Sequence, residues 1–477
     1  MTPISTRTPD TPPAARRRST ALIVLCLVQF MLNLDDNVVS IALPTVRAEL
    51  GFGFAGLAWV VNGYILAFGG FLLLSGRIAD LFGRRRVFLC GVALFGAASL
   101  FCGLAQEPWQ LIVGRFVQGS GAALASPAAL ALLTLLYPGG KERAKAIGIW
   151  GGVAALGATL GLVISGMLTD FASWRWVFFI NLPVAVLVLV VLPRLVGESR
   201  TETSARVDIP GAVLVVAVPG LLVYGLLRAS ETGWANASSV IPIAAAALLA
   251  LTFVAVELRT AEPLVPLSFL TFRPRAVANT TLLLFSASFY AMAFLLMLHI
   301  QTVLDYSPFT AGLSYLPFGA GILTGMAVSS RAVRRLGERW ALVAFLLISA
   351  AGLVLMSGID PSDSYVAGIL PALLITSIGC GMTLPALTVL ALTGTTEENA
   401  GLGSAVVTSV QQLGGAVGLA VLVTLAEQRR TTSGSLDPRQ AATDGFAHAL
   451  TISAALVALS AALIATTLRN TEPAETD

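Results

Sequence analysis

Long runs of apolar residues, separated by short polar links, recur along the whole chain. Most runs contain roughly 18 to 27 residues, and about 20 helical residues are needed to cross the hydrocarbon core of a bilayer. Such segments must be helical, because lipid offers no partners for free backbone N–H and C=O groups. The pattern predicts fourteen spans, at residues 20–44, 56–75, 87–105, 111–137, 146–168, 176–196, 209–227, 239–257, 277–301, 311–330, 340–358, 365–392, 403–425 and 446–468.

Two polar links form a weak internal repeat. GRIADLFGRRR (Gly76 to Arg86) follows the second span and SSRAVRRLGER (Ser329 to Arg339) follows the tenth. Each copy follows the second span of a six-span unit if spans seven and eight are set aside as an insert. The chain is therefore predicted to be an all-α polytopic membrane protein with two six-helix bundles and two additional helices. The predicted regions are an N-terminal tail (1–19), a first bundle (20–196), the insert with its links (197–276), a second bundle (277–468) and a C-terminal tail (469–477).

Composition supports a membrane protein and excludes several other classes. The 477 residues are 56% hydrophobic and 12% charged, whereas about a quarter of the residues of a soluble domain are charged. The net charge of +3 and the scattered basic residues give no indication of nucleic-acid binding. With two histidines, and four cysteines that lack metal-ligand spacing, the chain shows no catalytic or metal site, and no cofactor is expected.

The distribution of Lys and Arg tests the number of spans. Starting from a cytoplasmic N-terminus, 22 of the 29 basic residues fall on the cytoplasmic side, six fall outside, and Arg115 lies within the membrane. Short cytoplasmic loops normally carry this excess of positive charge. The distribution favours an even number of spans with both termini in the cytoplasm.

Two acidic residues interrupt the first span, in the stretch MLNLDDNVVSIALP. A charged side chain deep in a bilayer costs several kcal/mol, so Asp35 and Asp36 are candidate functional residues that face a water-filled path or a partner group. Adjacent helical residues point about 100° apart, so the two acids cannot share a face. Asp36 shares a helical stripe with Asn33, Asn37 and Ser40, which favours its exposure to a hydrated cavity.

Arg115 lies about one turn from the outer end of the fourth span and could be level with the two acids. A guanidinium stabilises an ionised carboxylate, whereas burial destabilises it. A conformational change that alters the distance between these groups could therefore load or release a proton. The alternative is a permanent structural ion pair.

Other polar residues within the predicted spans are candidates for the substrate cavity, with hydrogen bonding between helices as the alternative. They are Asn33, Asn37, Asn62, Tyr64, Gln118, His299, Gln301, Gln411 and Gln412. His299 lies near the outer end of its span, where a packed or interfacial role is the main alternative.

These strings resemble the major facilitator superfamily, and within it the fourteen-span branch of drug:proton antiporters. GRIADLFGRRR is similar to the superfamily's signature loop, with its residues at Gly76, Asp80, Gly83, Arg84 and Arg85. The resemblance implies the major facilitator fold and a conformational latch on the cytoplasmic side. A plain solvated turn is the alternative for this loop.

Further motifs extend the resemblance over nearly the whole chain. LDDNVVSIALP is similar to the first-helix motif of this branch and implies that its acid is Asp35. GRFVQGSGAA resembles the fourth-helix motif whose arginine, here Arg115, is tied to proton coupling. SWRWVFFINLP (173–183) and VQQLGGAVGLAV (410–421) are also typical of this branch.

The fifth span departs from the pattern of the family. LGATLGLVISG keeps Gly157, Gly161 and Gly166 but has Ala158 and Leu162 where prolines are usual. Glycines four residues apart allow helices to approach closely. We therefore expect close packing at the interface between the two bundles, without the kink that proline imposes.

The resemblance implies an exporter of lipophilic, cationic drugs or antibiotics that exchanges them for protons by alternating access. Asp35 is predicted to carry the proton, and Asp36 to attract a cationic substrate or share the proton; which of them carries it stays open. The expected partners are a small molecule, protons and the lipid bilayer of a bacterial inner (plasma) membrane, with the chain acting as a monomer. The alternatives are an importer or uniporter of one metabolite, or a membrane sensor that does not transport.

Overall fold

The computed structural model describes residues 12–199, 208–260, 262–396 and 399–468, without the side chains of residues 12–15 and 54. These ranges contain helices and no strand. The α-helices are α1 (Pro12–Leu50), α2 (Phe54–Phe82), α3 (Arg84–Gly103), α4 (Pro108–Leu136), α5 (Gly140–Phe171), α6 (Trp176–Phe179), α7 (Asn181–Leu195), α8 (Ile209–Thr232), α9 (Ala237–Arg259), α10 (Leu267–Thr271), α11 (Arg273–Thr302), α12 (Pro308–Ser314), α13 (Leu316–Leu336), α14 (Glu338–Met356), α15 (Leu370–Ala391), α16 (Ala400–Thr432) and α17 (Pro438–Thr467).

Fourteen helical segments of the described chain are long and apolar enough to cross a membrane, which confirms the predicted number. The sixth consists of α6 and α7, and the tenth of α12 and α13. The twelfth begins with a π-helical turn (Tyr365–Ile369) that continues into α15. Polar residues cap several of these helices; for example, Asp208 accepts a hydrogen bond from the Gly211 amide at the start of α8.

The helices extend beyond the apolar runs. Gly76 to Arg86, predicted as a link, lies almost entirely within α2 and α3, which are separated by Gly83 alone. Gly83 has φ 102°, a conformation that favours glycine and lets the chain turn between the two helices in one residue. The link predicted between these two membrane spans is thus itself helical, because a helix can continue with polar residues once it leaves the lipid.

The helices form two halves with the α8–α9 hairpin beside them. In the N-terminal half (α1–α7), α1 packs on α5 and α7, and α4 packs on α2 and α3. In the C-terminal half (α11–α17), α11 packs on α16 and α17, and α15 packs on α13 and α14. The hairpin lies against α2 and α16. The predicted regional boundaries stay predictions, and the tail segments 1–11 and 469–477, like residues 200–207 of the predicted insert link, lie outside the described residues.

We call the face where α1 begins and α17 ends the terminal side, and the opposite face the far side. The two halves meet on the far side, where the rings of Phe171 and Phe309 are 5.6 Å apart. The Gln301 side chain donates a hydrogen bond to the backbone carbonyl of Ile41, 3.0 Å away. These contacts join α1 and α5 of one half to α11 and α12 of the other.

The glycines of α5 divide between two neighbours. A side chain at Gly157 or Gly161 would collide with α1, at Phe30 and Leu34, whereas one at Gly166 would collide with the Pro308 carbonyl of α12. The predicted interface between the two halves is therefore wrong for Gly157 and Gly161, which pack within the N-terminal half. Gly166 follows Gly161 by five positions, and this spacing places it about 140° around the helix from Gly161.

On the terminal side, the halves are separate along α5. Residues 147–149, 151 and 152 are exposed and cover more than half of the helix circumference, whereas Ala146 and Trp150 on the remaining side pack in the core. By contrast, α2 and α16 stay in contact, and the Ser409 hydroxyl donates to the Gly69 carbonyl, 2.7 Å away. The space between the halves is thus closed on the far side and open beside α5 on the terminal side.

Candidate functional site

A buried ion pair lies at the centre of the N-terminal half. Arg115 of α4 donates through Nη1 to Asp35 Oδ2 of α1 at 2.5 Å. The Asp35 side chain is 0% exposed and the Arg115 side chain 1% exposed. Asp35 Oδ1 accepts two further hydrogen bonds, from Gln118 Nε2 at 2.7 Å and from Asn181 Nδ2 at 2.8 Å. Asp35 thus accepts hydrogen bonds from three side chains on two helices, α4 and α7.

The Arg115 guanidinium has further partners. Its Nε donates to the Val60 carbonyl of α2 at 3.2 Å, and its Nη1 also donates to Gln118 Oε1 at 2.8 Å. The guanidinium carbon lies 4.3 Å from the centre of the Tyr64 ring, a cation–π distance. These contacts compensate part of the cost of burying the charge and fix the direction of the side chain.

The network extends to α3 through the Ser99 hydroxyl. This oxygen accepts from Gln118 Nε2 at 2.7 Å and from Asn181 Nδ2 at 3.2 Å. Sequence reasoning did not identify Ser99 or Asn181. Asn181 lies within SWRWVFFINLP, directly after the break between α6 and α7, so the motif itself was a signal. Ser99 is a single serine in an apolar helix and gave no signal.

Close helix packing brings these groups together. A side chain at Gly119 of α4 would collide with the backbone carbonyl of Tyr64 on α2. The glycine lets the two backbones approach, so Arg115, one helical turn earlier, reaches the Val60 carbonyl and the Tyr64 ring. Replacing Gly119 would therefore disturb the ion pair, although Gly119 itself is not part of it.

Asp36 has very different surroundings from its neighbour. Asn33, Asp36, Asn37 and Ser40 are all partly exposed, as expected for a stripe that faces an open space. Asn33 and Asn37 donate to backbone carbonyls of their own helix. Asp36 accepts no hydrogen bond from the described residues, and it lies near Tyr64 and Tyr290 of α11. Asp36 is thus available to a bound molecule or to water.

The C-terminal half contributes neutral and aromatic groups opposite this stripe. The Tyr290 hydroxyl of α11 donates to Gln412 Oε1 of α16 at 2.7 Å. Phe289 packs against Tyr290, Phe285 and Phe318, with ring centres 5.7 to 6.4 Å apart. Gln411 is partly exposed. Sequence reasoning missed Tyr290, because a tyrosine among phenylalanines does not indicate which side of the helix faces the cavity.

Three predicted cavity residues do not lie with the stripe of Asp36 or with the aromatic group around Tyr290. His299 is buried against the Phe446 ring of α17, and its Nδ1 has no partner in the described part of the chain. Its position as a cavity residue is therefore not supported, because this face of α11 points toward α17. Gln301 joins α11 to α1 on the far side. Asn62 is fully buried in α2, and neither atom of its amide has a partner among the described residues.

The predicted latch residues cluster on the terminal side. Arg84 Nη2 lies 2.9 Å from Asp80 Oδ1, across the turn at Gly83. Arg85 donates to the Val196 carbonyl after α7 at 3.0 Å, and its backbone amide donates to Glu198 at 3.1 Å. A side chain at Gly76 would meet nothing within 4 Å. Glu198, which sequence reasoning did not identify, thus connects the turn to the end of the first bundle.

The described residues contain no group of three or more His, Cys, Asp or Glu side chains that could hold a metal ion. The four cysteines are all free thiols, three of them buried. The chemistry of the site therefore consists of one ion pair, one partly exposed carboxyl and a set of neutral hydrogen-bonding and aromatic groups.

Comparisons with known proteins agree on one family. The family profile described as Major Facilitator Superfamily matches residues 25–419. The chain is 38% identical to the puromycin resistance protein pur8 of Streptomyces alboniger, over 86% of this chain and 82% of that protein. It is 39% identical to the lincomycin resistance protein of Streptomyces lincolnensis, over 88% and 87% of the two chains.

Another relative is the cephamycin export protein CmcT of Amycolatopsis lactamdurans, 39% identical over 87% of this chain and 86% of that protein. Among solved structures, a bacterial homolog to the human lysosomal transporter Spinster, solved in an inward-facing and unoccupied conformation, has a similar fold. The TM-score is 0.69 at 16% identity, covering 96% of this chain and 98% of that chain.

Proposed function

Because the chain belongs to the major facilitator superfamily and is homologous to antibiotic and multidrug resistance efflux proteins, we propose that it exports lipophilic drugs or antibiotics in exchange for protons. The observation that carries the proposal is the contrast between two adjacent acids. Asp35 is buried in an ion pair, whereas Asp36 is partly exposed and has no partner among the described residues. Asp35 can hold a proton, and Asp36 can contact a substrate.

In this proposal Asp35 is the proton carrier. Arg115, Gln118 and Asn181 stabilise its ionised form in the conformation described above. Protonation would remove the charge that pairs with Arg115, leaving the guanidinium with the Val60 carbonyl, Gln118 and the Tyr64 ring. Because these partners belong to α2 and α4, the change in charge would alter how α1 packs on both helices. This is how proton binding would be coupled to movement of the halves.

The substrate would bind between the stripe of Asp36 and the aromatic group around Tyr290. A carboxylate attracts an amine, and aromatic faces attract cations and lipophilic rings. The names of three relatives refer to puromycin, lincomycin and cephamycin. We therefore propose lipophilic cations as the main class, with neutral compounds bound through the aromatic group.

We further propose that the terminal side is cytoplasmic and that the complete pathway lies within one chain. The excess of basic residues on this side supports the orientation. The Asp80–Arg84 pair and the bonds of Arg85 to the segment after α7 would then hold α2, α3 and α7 together near the cytoplasmic opening. In the proposed cycle, this latch would stabilise one of the two conformations.

Drug-driven proton movement in proteoliposomes tests the proposal. Purified protein would be reconstituted with a pH-sensitive dye inside, and puromycin, lincomycin or ethidium would be added with and without a protonophore. One proton entering down 100 mV releases about 2.3 kcal/mol, which supports a gradient of about fiftyfold for a neutral solute. We expect each active compound to move protons in the opposite direction.

Asp35→Asn is the matched variant for this experiment. It keeps an oxygen that can accept from Arg115, so we expect it to insert and to bind drugs but not to move protons in response. Drug-driven proton movement by Asp35→Asn at the wild-type rate would reject Asp35 as the carrier. Accumulation of the compounds in cells that express the protein, rather than export, would indicate an importer.

A further inference from the structure

The α8–α9 hairpin contains a second pair of buried acids, on the terminal side and away from Asp35. Asp208 caps the start of α8 and Glu257 lies in the last turn of α9. The two side chains are 5% and 3% exposed. Neither is paired with a basic side chain in the described part of the chain. Acids buried to this degree normally have a compensating partner.

The two carboxyls face each other across Gly211. A carbon placed where the side chain of Gly211 would begin lies 2.5 Å from Asp208 Oδ2 and 2.9 Å from Glu257 Oε1. Asp208 Oδ1 accepts from the Gly211 amide, and Oδ2 accepts a long bond from the Leu264 amide at 3.3 Å. Glu257 Oε2 accepts from the Val265 amide at 3.2 Å, whereas Oε1 is buried without a partner.

We infer that Asp208 and Glu257 together bind one proton, with the Glu257 carboxyl group donating a hydrogen bond from Oε1 to the Asp208 carboxylate. Two ionised carboxylates with oxygens 2.5 and 2.9 Å from the same point repel each other, and the buried Oε1 of Glu257 would remain unsatisfied. One shared proton removes the repulsion and gives this oxygen a partner in a strong, charge-assisted bond. The other charged group that acts on Glu257 is Arg77 of α2.

The surroundings favour a proton over a metal ion. Three of the four carboxyl oxygens already accept backbone N–H bonds. Calcium takes six to eight oxygen ligands, and magnesium requires an octahedral set. The described residues offer no third acidic, His or Cys side chain to complete such a group.

The pair holds a segment that packs where the two halves meet. Its bonds fix the amides of Leu264 and Val265, while Arg77 donates to the carbonyls of Glu262 and Pro263. The side chains of Leu264 and Val265 pack in a small apolar cluster that also contains Leu73 of α2, Ala212 of α8 and Val406 of α16. The shared proton therefore stabilises the contact of the hairpin with both α2 and α16. This inference goes beyond drug export and holds whether or not the chain exchanges protons for drugs.

Infrared spectroscopy of the purified full-length protein, together with thermal unfolding in detergent across a pH series, tests the inference. We expect wild type to show the C=O band of a buried protonated carboxyl group at a pH at which exposed carboxyl groups are ionised. A proton held more tightly in the folded state stabilises the fold at low pH, and this stabilisation disappears as the pair deprotonates at higher pH. The unfolding temperature of wild type should therefore fall as the pH rises through this range.

Glu257→Gln is the informative variant, because its amide can donate to Asp208 and accept from Val265 without titrating. We expect its infrared band to be weaker than that of wild type and its unfolding temperature to depend less on pH in this range, because Asp35 and Asp36 are unchanged. Glu231→Gln is the matched control at the far end of the same hairpin, where Glu231 pairs with Arg228 in an exposed position. It should keep both the band and the pH dependence.

Two results would overturn the inference. A wild-type spectrum that lacks the band, or a Glu257→Gln spectrum that keeps the band at its full wild-type intensity, would show that this pair does not hold a proton. Stabilisation of wild type but not of Glu257→Gln by sodium or calcium chloride, relative to choline chloride at equal ionic strength, would assign the site to a metal cation. Either result would leave the export proposal unaffected, because its test uses drug-driven proton movement and Asp35.

Discussion

The two halves of the molecule place their polar side chains in different ways. In the N-terminal half, Asp35 and Asp36 lie in the middle part of α1 and Arg115 about two turns from the start of α4, and Asp35 and Arg115 form a fully buried ion pair. In the C-terminal half, the described charged side chains lie near helix ends, as Arg275 does near the start of α11, where it donates to the Thr393 carbonyl. The middle of that half contains neutral groups such as Tyr290 and Gln412.

This difference suggests a division of labour between halves of the same fold. A proton carrier needs a titratable group whose surroundings change, and the N-terminal half offers this in the Asp35–Arg115 pair. A site for varied lipophilic molecules needs apolar and aromatic surface with few fixed charges. The C-terminal half offers the partly exposed rings of Phe289 and Tyr290, which pack on the buried rings of Phe285 and Phe318. Changes in the two halves should therefore affect proton coupling and substrate binding separately.

The largest effect is expected for Arg115→Ala. This change removes the main partner of the buried Asp35. Breaking a buried ion pair typically costs about 3 to 5 kcal/mol of stability, and protonation of Asp35 recovers part of that cost. Transport should be abolished, because the carboxyl group would keep its proton in every conformation. Thermal unfolding in detergent and drug-driven proton movement in proteoliposomes measure the two effects.

The double variant Asp35→Asn/Arg115→Gln separates structure from mechanism. It removes both buried charges and keeps hydrogen-bonding amides, so we expect most of the stability lost in Arg115→Ala to return while transport stays absent. Arg115→Lys keeps the charge but loses the planar contact with Tyr64, and partial activity is expected. If the double variant exchanged drugs for protons, the ion pair would be purely structural. The proposed division of proton coupling and substrate binding between the two halves would then be wrong.

Asp36→Asn should have a smaller and selective effect. Asp36 has no hydrogen-bond partner among the described residues, so its replacement should leave the unfolding temperature nearly unchanged. Export of cations such as ethidium should weaken about tenfold, which corresponds to about 1.4 kcal/mol of lost attraction. A neutral substrate identified in the same screen should still be exported and should still move protons. Equal losses for cationic and neutral compounds would instead assign Asp36 a role in the proton pathway.

Sequence patterns predicted the helical architecture and the polar stripe of α1 that forms one side of the proposed substrate site. The fourteen apolar runs predicted the number of spans, and the spacing of Asn33, Asp36 and Asn37 predicted a polar stripe that is partly exposed in the structure. Both predictions rest on local properties, namely the length and periodicity of a helix. The level of Arg115 along its helix likewise indicated that it could reach the acids.

The remaining features depend on how helices pack, which local patterns do not encode. Ser99 and Asn181 complete the bonds around Asp35, but a lone polar residue in an apolar helix can face any neighbour. For the same reason His299, assigned to the cavity from its polarity, packs instead against Phe446. Close approach was predicted for Gly157 and Gly161, yet their neighbour is α1 rather than the other half.

The smallest effect, and the test of the C-terminal half, is expected for Tyr290→Phe. The variant keeps the ring and loses the hydrogen bond to Gln412, which is worth about 0.5 to 1.5 kcal/mol. Substrate affinity should fall about threefold, or about 0.7 kcal/mol, while the number of protons moved per drug molecule stays the same.

Tyr365→Phe is the matched control, because it removes a tyrosine hydrogen bond to the Ser314 carbonyl in the same half but on the far side. It should have a similar cost in stability without a change in affinity. A change in the proton-to-drug ratio of Tyr290→Phe would mean that the C-terminal half takes part in proton coupling, since Tyr290 lies near Asp36 of the other half.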